Sequence, residues 1–292
     1  MTKNTSIHTQ SLKIPRLILL TSKFFAFISS KLATQFAAKL FITPIKYKIP
    51  KRELEMDRKS LQKLIKIPSI NRELVVYEYG KSDKKILLVH GWSGRGTQLV
   101  KIADELVQSG YSTISFDAPA HGKSPGKNAN MVDFIKAILE IDKQFGPFEA
   151  AVGHSLGGMS VLNAMKKGLK LKSAVIIGSG DIVEDIISDF ISKLELKPSF
   201  TIKLRLHFEK KYQESMNDYS AFLAAQEISV PVFVIHDQDD PEVSVKAGIN
   251  IHKHLKNGEL MLTERLGHRK ILGNPAVMEK TVQFIRNNSF IE

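Results

Sequence analysis

A serine lies at the centre of the run Gly-His-Ser-Leu-Gly-Gly at residues 153–158. An apolar run at 148–152 precedes it and a helix-like pattern at 159–165 follows it, which predicts a strand, a sharp turn and a helix. Such a turn directs the hydroxyl of Ser155 out of the sheet, and the flanking glycines leave room for it. A serine exposed in this way can attack an acyl carbon, while the amide of Leu156 at the start of the helix can face the resulting oxyanion.

Apolar runs and helix-like segments alternate along most of the chain. Further buried strands are predicted at 85–89, 112–116, 174–177, 232–235 and 260–263. Helices are predicted at 98–108, 131–144, 158–167, 243–254 and 275–286. This alternation predicts an α/β fold with a mostly parallel, doubly wound sheet. In such sheets ligands bind at the carboxyl ends of the strands, where Ser155 also falls.

Motifs at those carboxyl ends resemble the α/β-hydrolase family, in its esterase, lipase and serine aminopeptidase branch. The run His-Gly-Trp-Ser-Gly at 90–94 is similar to the oxyanion loop of that family. The run Asp-Ala-Pro-Ala-His-Gly-Lys-Ser at 117–124 resembles the family's D-x-P-G-x-G-x-S loop, except that Ala120 replaces a glycine. The resemblance covers residues 70–290, and it implies the fold that the alternation of strands and helices predicts.

The resemblance also implies a catalytic triad, in the family's chain order of serine, acid and histidine. Ser155 is implied as the nucleophile, and His268, which follows the last strand, as the general base. The acid falls in an acid-rich loop at 237–242. The family spacing selects Asp240 there and leaves Asp239 as the alternative, with the task of orienting the histidine and stabilising its charged form.

The backbone amides of Trp92 and Leu156 are implied as the oxyanion hole. The side chain of Trp92, the single tryptophan of the chain, is predicted to form either a wall of the substrate pocket or ordinary packing. Arg95 on the same loop is predicted to be solvated, with contact to an acidic substrate as the alternative. Structural roles are expected for the remaining motif residues, which are His90, His121, His154, His236 and Asp117.

The chain divides into four predicted segments. Residues 1–52 form a basic, apolar helical extension, and residues 53–180 and 230–292 form the hydrolase core. Residues 181–229 carry no strand pattern, and the resemblance implies that they form a helical cap that shapes the substrate pocket. Helices are predicted within the cap near 181–194, 202–213 and 219–226.

The net charge of +12 belongs to the N-terminal segment. Residues 1–52 hold ten Lys or Arg and no Asp or Glu, whereas the rest of the chain is nearly balanced. Because no nucleic-acid-binding motif accompanies this charge, we expect no nucleic-acid partner. Lys23 and Lys31 interrupt the apolar stretch between Pro15 and Pro44, which argues against a signal peptide and a spanning helix.

A signal peptide that is cleaved stays open as the less favoured interpretation of this segment, together with two others. An amphipathic helix within residues 12–43 would contact an anionic membrane surface. Alternatively, one or two helices would pack on the hydrolase domain with their lysines directed outward. We therefore expect the protein in the cytoplasm, with membrane association as the alternative.

The chain has no cysteine, which excludes disulfides, zinc–thiolate sites and a cysteine nucleophile. It shows no metal-ligand spacing and no cofactor motif, so we expect no cofactor. The predicted function is hydrolysis of a small-molecule carboxylic ester or thioester through an acyl-enzyme. Amidase or peptidase chemistry, a lipase at a membrane surface and a non-catalytic ligand-binding protein stay open, as does the oligomeric state.

Overall fold

A computed structural model describes residues 14–289, and the strands in this part of the chain form one eight-stranded sheet. In chain order they are β1 (Leu61–Ile67), β2 (Arg72–Tyr79), β3 (Lys85–Val89), β4 (Ser112–Asp117), β5 (Ala150–His154), β6 (Ser173–Ile177), β7 (Val232–Asp237) and β8 (Gly258–Thr263). Their order across the sheet is β1-β2-β4-β3-β5-β6-β7-β8. Strand β2 pairs antiparallel with β1 and β4, and the remaining pairings are parallel. The predicted mostly parallel α/β sheet is confirmed.

Helices in the same described part of the chain flank the strands. They are α1 (Arg16–Ile28), α2 (Ser30–Phe41), α3 (Leu54–Lys59), α4 (Val100–Gln108), α5 (Met131–Phe145), α6 (Leu156–Lys166), α7 (Val183–Lys193), α8 (Ser199–Tyr212), α9 (Ala221–Ala225), α10 (Val245–His254), α11 (Gly267–Lys270) and α12 (Pro275–Ser289). The five helices predicted between the strands correspond to α4, α5, α6, α10 and α12.

Helices cover both faces of the sheet, because successive residues of a strand point to opposite sides. Leu87 and Val89 of β3 join one apolar cluster, to which α5 and α6 contribute. Ile86 and Leu88 join a second cluster, to which α4 and α12 contribute. Since β3 to β8 run parallel, the loops at their carboxyl ends leave the sheet at one edge, where the predicted motifs lie.

Helices α7, α8 and α9 lie between β6 and β7, where the sequence predicts a helical cap. Each helix buries apolar side chains, including Ile187 of α7, Leu204 of α8 and Ala224 of α9. These side chains belong to the same apolar cluster as α5 and α6. The division of the chain into four segments stays a prediction, although the three helices fall inside the predicted range 181–229.

Helices α1 and α2 form the predicted N-terminal extension. Ala33 and Ala37 of α2 are fully buried, and Phe41 at its end contacts two aromatic rings of the cap helices. Its ring centroid lies 5.0 Å from that of Phe190 and 5.8 Å from that of Phe208. For α2, the structure therefore supports the interpretation of a helix packed on the hydrolase domain.

The described part of the chain bears on membrane-spanning helices and on the ends of the predicted segments. None of the helices between residues 14 and 289 has the length and apolar character needed to cross a membrane. The parts of the predicted segments 1–52 and 12–43 that fall before residue 14 lie outside the described residues, as do residues 290–292 of the predicted core.

Residues 42–53 connect α2 to the core along the loops that follow β3 and β4. The amide of Ile45 donates a hydrogen bond to the hydroxyl of Ser93, with 3.0 Å between the two atoms. The ammonium of Lys46 donates to the backbone oxygen of Ser124 at 2.7 Å. The N-terminal extension is therefore attached to the loop that the sequence predicts as the oxyanion loop.

Candidate active site

Ser155 occupies the sharp turn between β5 and α6. Its φ of 54° and ψ of −121° lie outside the regions that L-residues ordinarily occupy, so the backbone is strained. The turn is also tight, since a Cβ at Gly157 would lie 2.3 Å from the backbone oxygen of Val89. A Cβ at Gly153 would lie 2.6 Å from the oxygen of Gly157. Larger residues do not fit at these two positions, which explains the glycines on either side of the serine.

The loop after β3 approaches Ser155 closely. A Cβ at Gly91 would lie only 2.9 Å from the Cβ of Ser155. Within the described residues, the amides of Trp92 and Leu156 donate no hydrogen bond to a protein acceptor. A free amide at a helix start and another on a neighbouring loop are donors of the kind that stabilise an oxyanion. The oxyanion-hole role of these two amides stays a prediction.

His268 and Asp240 are joined by a hydrogen bond of 2.7 Å between Nδ1 and Oδ2. Because an ionised carboxylate only accepts, Nδ1 carries the proton, and Nε2 of the neutral ring has a free lone pair. Burial alone would raise the pKa of the Asp240 carboxyl, but the hydrogen bond from His268 and those from the amides of Val243 and Glu242 lower it below its ordinary value. Asp240 is therefore an ionised acceptor at neutral pH.

The histidine–aspartate pair lies beside the segment that carries the serine. The rings of His154 and His268 have centroids 4.6 Å apart, and His154 Nε2 donates to the backbone oxygen of His268 at 2.9 Å. The amide of Ser155 donates to the oxygen of Ile177 at 2.9 Å. A Cβ at Gly178, the next residue, would lie 3.3 Å from His268 Nδ1. The predicted triad residues thus share one edge of the sheet, and their catalytic roles stay predictions.

The other acids of the loop after β7 have structural partners. Asp237 accepts hydrogen bonds from the hydroxyl of Thr263 at 2.7 Å and from the amide of Gly267 at 2.9 Å. Asp239 accepts one from the amide of Arg265 at 2.9 Å. Both carboxylates therefore fix the chain that leads from β8 into the histidine-bearing turn, and neither takes the place of the acid in the pair.

Asp117 joins the loop after β3 to the loop after β4. Its carboxylate accepts hydrogen bonds from the amides of Gly96 and Lys123, both at 2.6 Å, and from the hydroxyl of Tyr77 at 2.8 Å. Burial raises the pKa of Asp117 above its ordinary value, although these hydrogen bonds oppose the shift. The neighbouring Ala120, where the family has glycine, adopts a left-handed φ of 65° that favours glycine.

Histidines in the motif loops are buried hydrogen-bonding groups. His90 donates from Nδ1 to the oxygen of Gly91 at 2.7 Å and accepts at Nε2 from the amide of Ala118 at 3.0 Å, so it ties the loop after β3 to the loop after β4. Burial lowers the pKa of every member of this group, which comprises His90, His121, His154 and His236. Their predicted structural role agrees with these contacts. Between residues 14 and 289, no three His, Asp or Glu side chains are grouped so as to hold a metal ion.

Arg95 contradicts the prediction of a solvated loop side chain. It is buried, and its Nη1 lies 3.0 Å from Oε2 of Glu53, which is also buried. The hydroxyl of Thr97 donates to the same carboxylate oxygen at 2.9 Å. The arginine can be buried because the carboxylate neutralises it and accepts a hydrogen bond from Nη1, while Nη2 donates to the backbone oxygen of Tyr47 at 3.4 Å. Glu53 precedes the region of resemblance, so the motifs give no sign of this partner.

The side chain of Trp92 is partly buried and packs edge-on against a histidine. Its ring centroid lies 5.0 Å from that of His121, which in turn lies 5.3 Å from the ring of Phe134. The indole is therefore engaged in packing on one side, as one of the two interpretations expects. The role of its remaining surface as a wall of the substrate pocket stays a prediction.

A model of the alpha/beta hydrolase family matches residues 86–268, which is more than half of the chain and includes Ser155, Asp240 and His268. The chain belongs to the alpha/beta hydrolase family. This membership confirms the family that the motifs resemble, and it accounts for the order of serine, acid and histidine along the chain.

Known relatives of this hydrolase are named as esterases and lipases. A monoglyceride lipase from Saccharomyces cerevisiae is 26% identical over 181 residues, which cover 52% of this chain and 56% of the lipase, so the chain matches little more than half the length of that relative. An esterase from Pyrococcus furiosus has a TM-score of 0.66 at 19% identity and covers 84% of this chain and 99% of its own. A bacterial membrane phospholipase A has a TM-score of 0.63 at 14% identity, and the match covers 94% of this chain and 97% of the phospholipase. The two structures show a shared fold, and the names support a hydrolase of the esterase and lipase type.

Proposed function

We propose that this protein hydrolyses carboxylic esters through a covalent acyl-enzyme formed on Ser155. The observation that carries the proposal is the 2.7 Å hydrogen bond between His268 and Asp240 beside a serine in a strained turn. Strained backbone conformations cluster at functional sites, and they persist only where the surrounding structure offsets their free-energy cost. The names of the relatives support ester chemistry at such a site.

The reaction follows from the proton positions in the pair. Nε2 of His268 accepts the hydroxyl proton of Ser155 while Oγ attacks the ester carbon, and the Asp240 carboxylate stabilises the imidazolium that forms. The amides of Trp92 and Leu156 donate to the oxyanion, each contributing on the order of 3 kcal/mol to the transition state. The ester C–O bond then breaks, and the imidazolium gives its proton to the departing alcohol.

Deacylation repeats the same proton transfers with water. The imidazole takes a proton from the water molecule as its oxygen attacks the acyl carbon, and the bond between that carbon and the serine oxygen breaks. The proton returns to Oγ, and the carboxylic acid leaves. No cofactor takes part in the proposed reaction, and thioesters would react in the same way with a thiol as the leaving group.

The proposed substrates are small acyl esters, and lipid esters are the favoured subset. Two relatives are named for lipid substrates, a monoglyceride lipase and a membrane phospholipase A. Amide or peptide hydrolysis and ligand binding without turnover are the alternatives that the experiment must separate.

The test is hydrolysis of p-nitrophenyl esters from acetate to palmitate by the wild type and by Ser155→Ala. We expect turnover by the wild type and a loss of at least about 10³-fold in kcat for the variant, since the nucleophile is gone. Ser173→Ala is the matched control, because it removes the hydroxyl of a buried serine at the start of β6, at the edge of the sheet opposite to the candidate site. The chain-length optimum reports the size of the acyl pocket.

A fluorophosphonate probe distinguishes the alternatives. Labelling that disappears in Ser155→Ala, together with activity on amides alone, would replace ester by amide hydrolysis. A folded protein with no turnover and no labelling would overturn the proposal and leave ligand binding. Activity that survives in Ser155→Ala would show that another nucleophile performs the reaction.

A further inference from the structure

Helix α1 leaves one apolar side uncovered. We call its five exposed residues the α1 stripe: Leu17 (75% exposed), Leu20 (56%), Phe24 (59%), Phe27 (91%) and Ile28 (55%). Because an α-helix turns by 100° per residue, the five side chains fall within an arc of roughly 100°. Isolated apolar residues on a surface are ordinary, whereas five on one side of one helix form a contiguous patch that marks an interaction surface.

The opposite side of α1 is packed, so the stripe has a defined orientation. Ser22 is buried, and the ring of Phe25 meets that of Phe36 on α2 edge-on at 5.3 Å. Helix α2 is in turn fixed by Ala33 and Ala37 in the apolar core. Helix α1 is therefore packed against the protein by one side, where the hydrolase domain lies, and the stripe faces away from that side.

Positive charge lies along one edge of the stripe. Residues 14–52 include eight Lys or Arg and no Asp or Glu. At 100° per residue, the exposed Arg16 and Lys23 lie along one edge of the stripe. The other Lys and Arg of this segment do not extend that edge into a single basic face. Lys23 is paired with Glu195 of the cap loop, which neutralises part of this edge.

A basic groove begins directly after the stripe. Lys31 of α2 and Lys203 of α8 line it together with Leu206, and Lys31 follows the last stripe residue by three positions. An apolar surface bordered by lysine and arginine is complementary to a bilayer with anionic headgroups. A second copy of this chain would instead present the same positive charge and be repelled.

We propose that the α1 stripe docks the protein on the surface of an anionic phospholipid bilayer. The helix is about 20 Å long, which is shorter than the roughly 30 Å hydrocarbon layer, so it lies in the plane of the interface. Phe27 and its neighbours enter the boundary between headgroups and acyl chains, while Arg16, Lys31 and Lys203 remain among the phosphates. This docking goes beyond the proposed hydrolysis and does not depend on it.

Co-sedimentation of the full chain with lipid vesicles tests the proposal. We expect binding to vesicles that contain phosphatidylglycerol and much weaker binding to pure phosphatidylcholine, with a loss of binding as salt is added. The variant Leu17→Ser/Leu20→Ser should lower the partition coefficient roughly tenfold or more, because both side chains would leave water on docking. The control Leu61→Ser/Leu64→Ser, which changes two leucines equally exposed on β1, should bind as the wild type does.

Further measurements decide between the outcomes. Circular dichroism and thermal unfolding establish that the stripe variant is folded. Ser155→Ala should bind vesicles like the wild type, so a failure of the docking proposal can be distinguished from a failure of the proposed hydrolysis. Absence of wild-type binding to phosphatidylglycerol vesicles, or equal binding by the stripe variant, would overturn the proposal. A wild type that sediments as a dimer without binding vesicles, beside a monomeric stripe variant, would also overturn it and assign the stripe to self-association.

Discussion

Acidification should destabilise this protein well before its carboxylates titrate, because buried histidines hold the loops around the candidate site. Burial lowers the pKa of His121 to about 4, and burial together with the nearby His268 lowers that of His154 to about 3. The pKa of His90 also lies well below its ordinary value because the ring is buried. In the unfolded chain, each of these rings titrates near pH 6.5.

The sign of the effect follows from these depressed values. Above about pH 6.5 the three histidines are neutral in both states, and their stabilising contribution is complete. As the pH falls from there towards the folded pKa values, only the unfolded chain takes up protons, so folding becomes less favourable. Between pH 7.5 and 5.5, His121 and His154 each account for about 1.4 kcal/mol, and together for about 3 kcal/mol, a large share of an ordinary free energy of unfolding. The lowered pKa values of His90 and His236 add to the loss in the same direction.

Urea unfolding at pH 7.5 and at pH 5.5 measures this loss. His121→Phe should lose about 1.4 kcal/mol less than the wild type between the two pH values, since one titrating ring is gone. Phe134→Leu, in the same ring cluster, keeps all the histidines and should lose as much as the wild type. The raised pKa of Asp117 makes folding more favourable as the pH falls, which opposes the effect of the histidines. Because Asp117 is present in the wild type and in His121→Phe, the difference between their losses is the decisive quantity. Equal losses in the wild type and His121→Phe would refute the reasoning.

Two substitutions test the contacts of the site directly. Asp240→Asn should lower kcat on p-nitrophenyl esters by on the order of 10³-fold or more, because His268 loses the acceptor that sets its tautomer, whereas Asp239→Asn should stay within about tenfold; similar rates for the two variants would contradict the assignment of the acid. Glu53→Ala should lower the free energy of unfolding in urea by about 3–5 kcal/mol, because the Arg95 guanidinium would stay buried without its partner. Replacing both members of that ion pair by methionine should cost much less, and equal losses would show that the pair is not coupled.

The sequence predicts the parts of the fold that have local signatures. Strands β3 to β8 are predicted because each contains an apolar run bounded by turn residues, and the turn at Ser155 is predicted from its glycines. The residues of the His268–Asp240 pair are selected by motif spacing. Their contact, in contrast, depends on the parallel pairing of β7 with β8, which only the folded sheet brings about.

Edge strands and long-range ion pairs escape this kind of prediction. Strands β1 and β2 have no counterpart among the predicted strands. In β1, which lies at the sheet edge, Leu61 and Leu64 are exposed, so its sequence does not alternate with the period of a half-buried strand. The burial of Arg95 depends on Glu53, which is 42 positions earlier in the chain. No local pattern connects two such residues, because the tertiary structure alone brings them together.

The attachment of α2 and residues 42–53 to both the cap and the loop after β3 has an evolutionary consequence. A related hydrolase that lacks α2 and residues 42–53 would leave Phe190 and Phe208 without the ring of Phe41, and it would have no carboxylate for an arginine at the position of Arg95. Selection should therefore change these positions together in lineages that lose the extension. The two N-terminal helices, the apolar side of the cap and the loop arginine would be inherited as one unit.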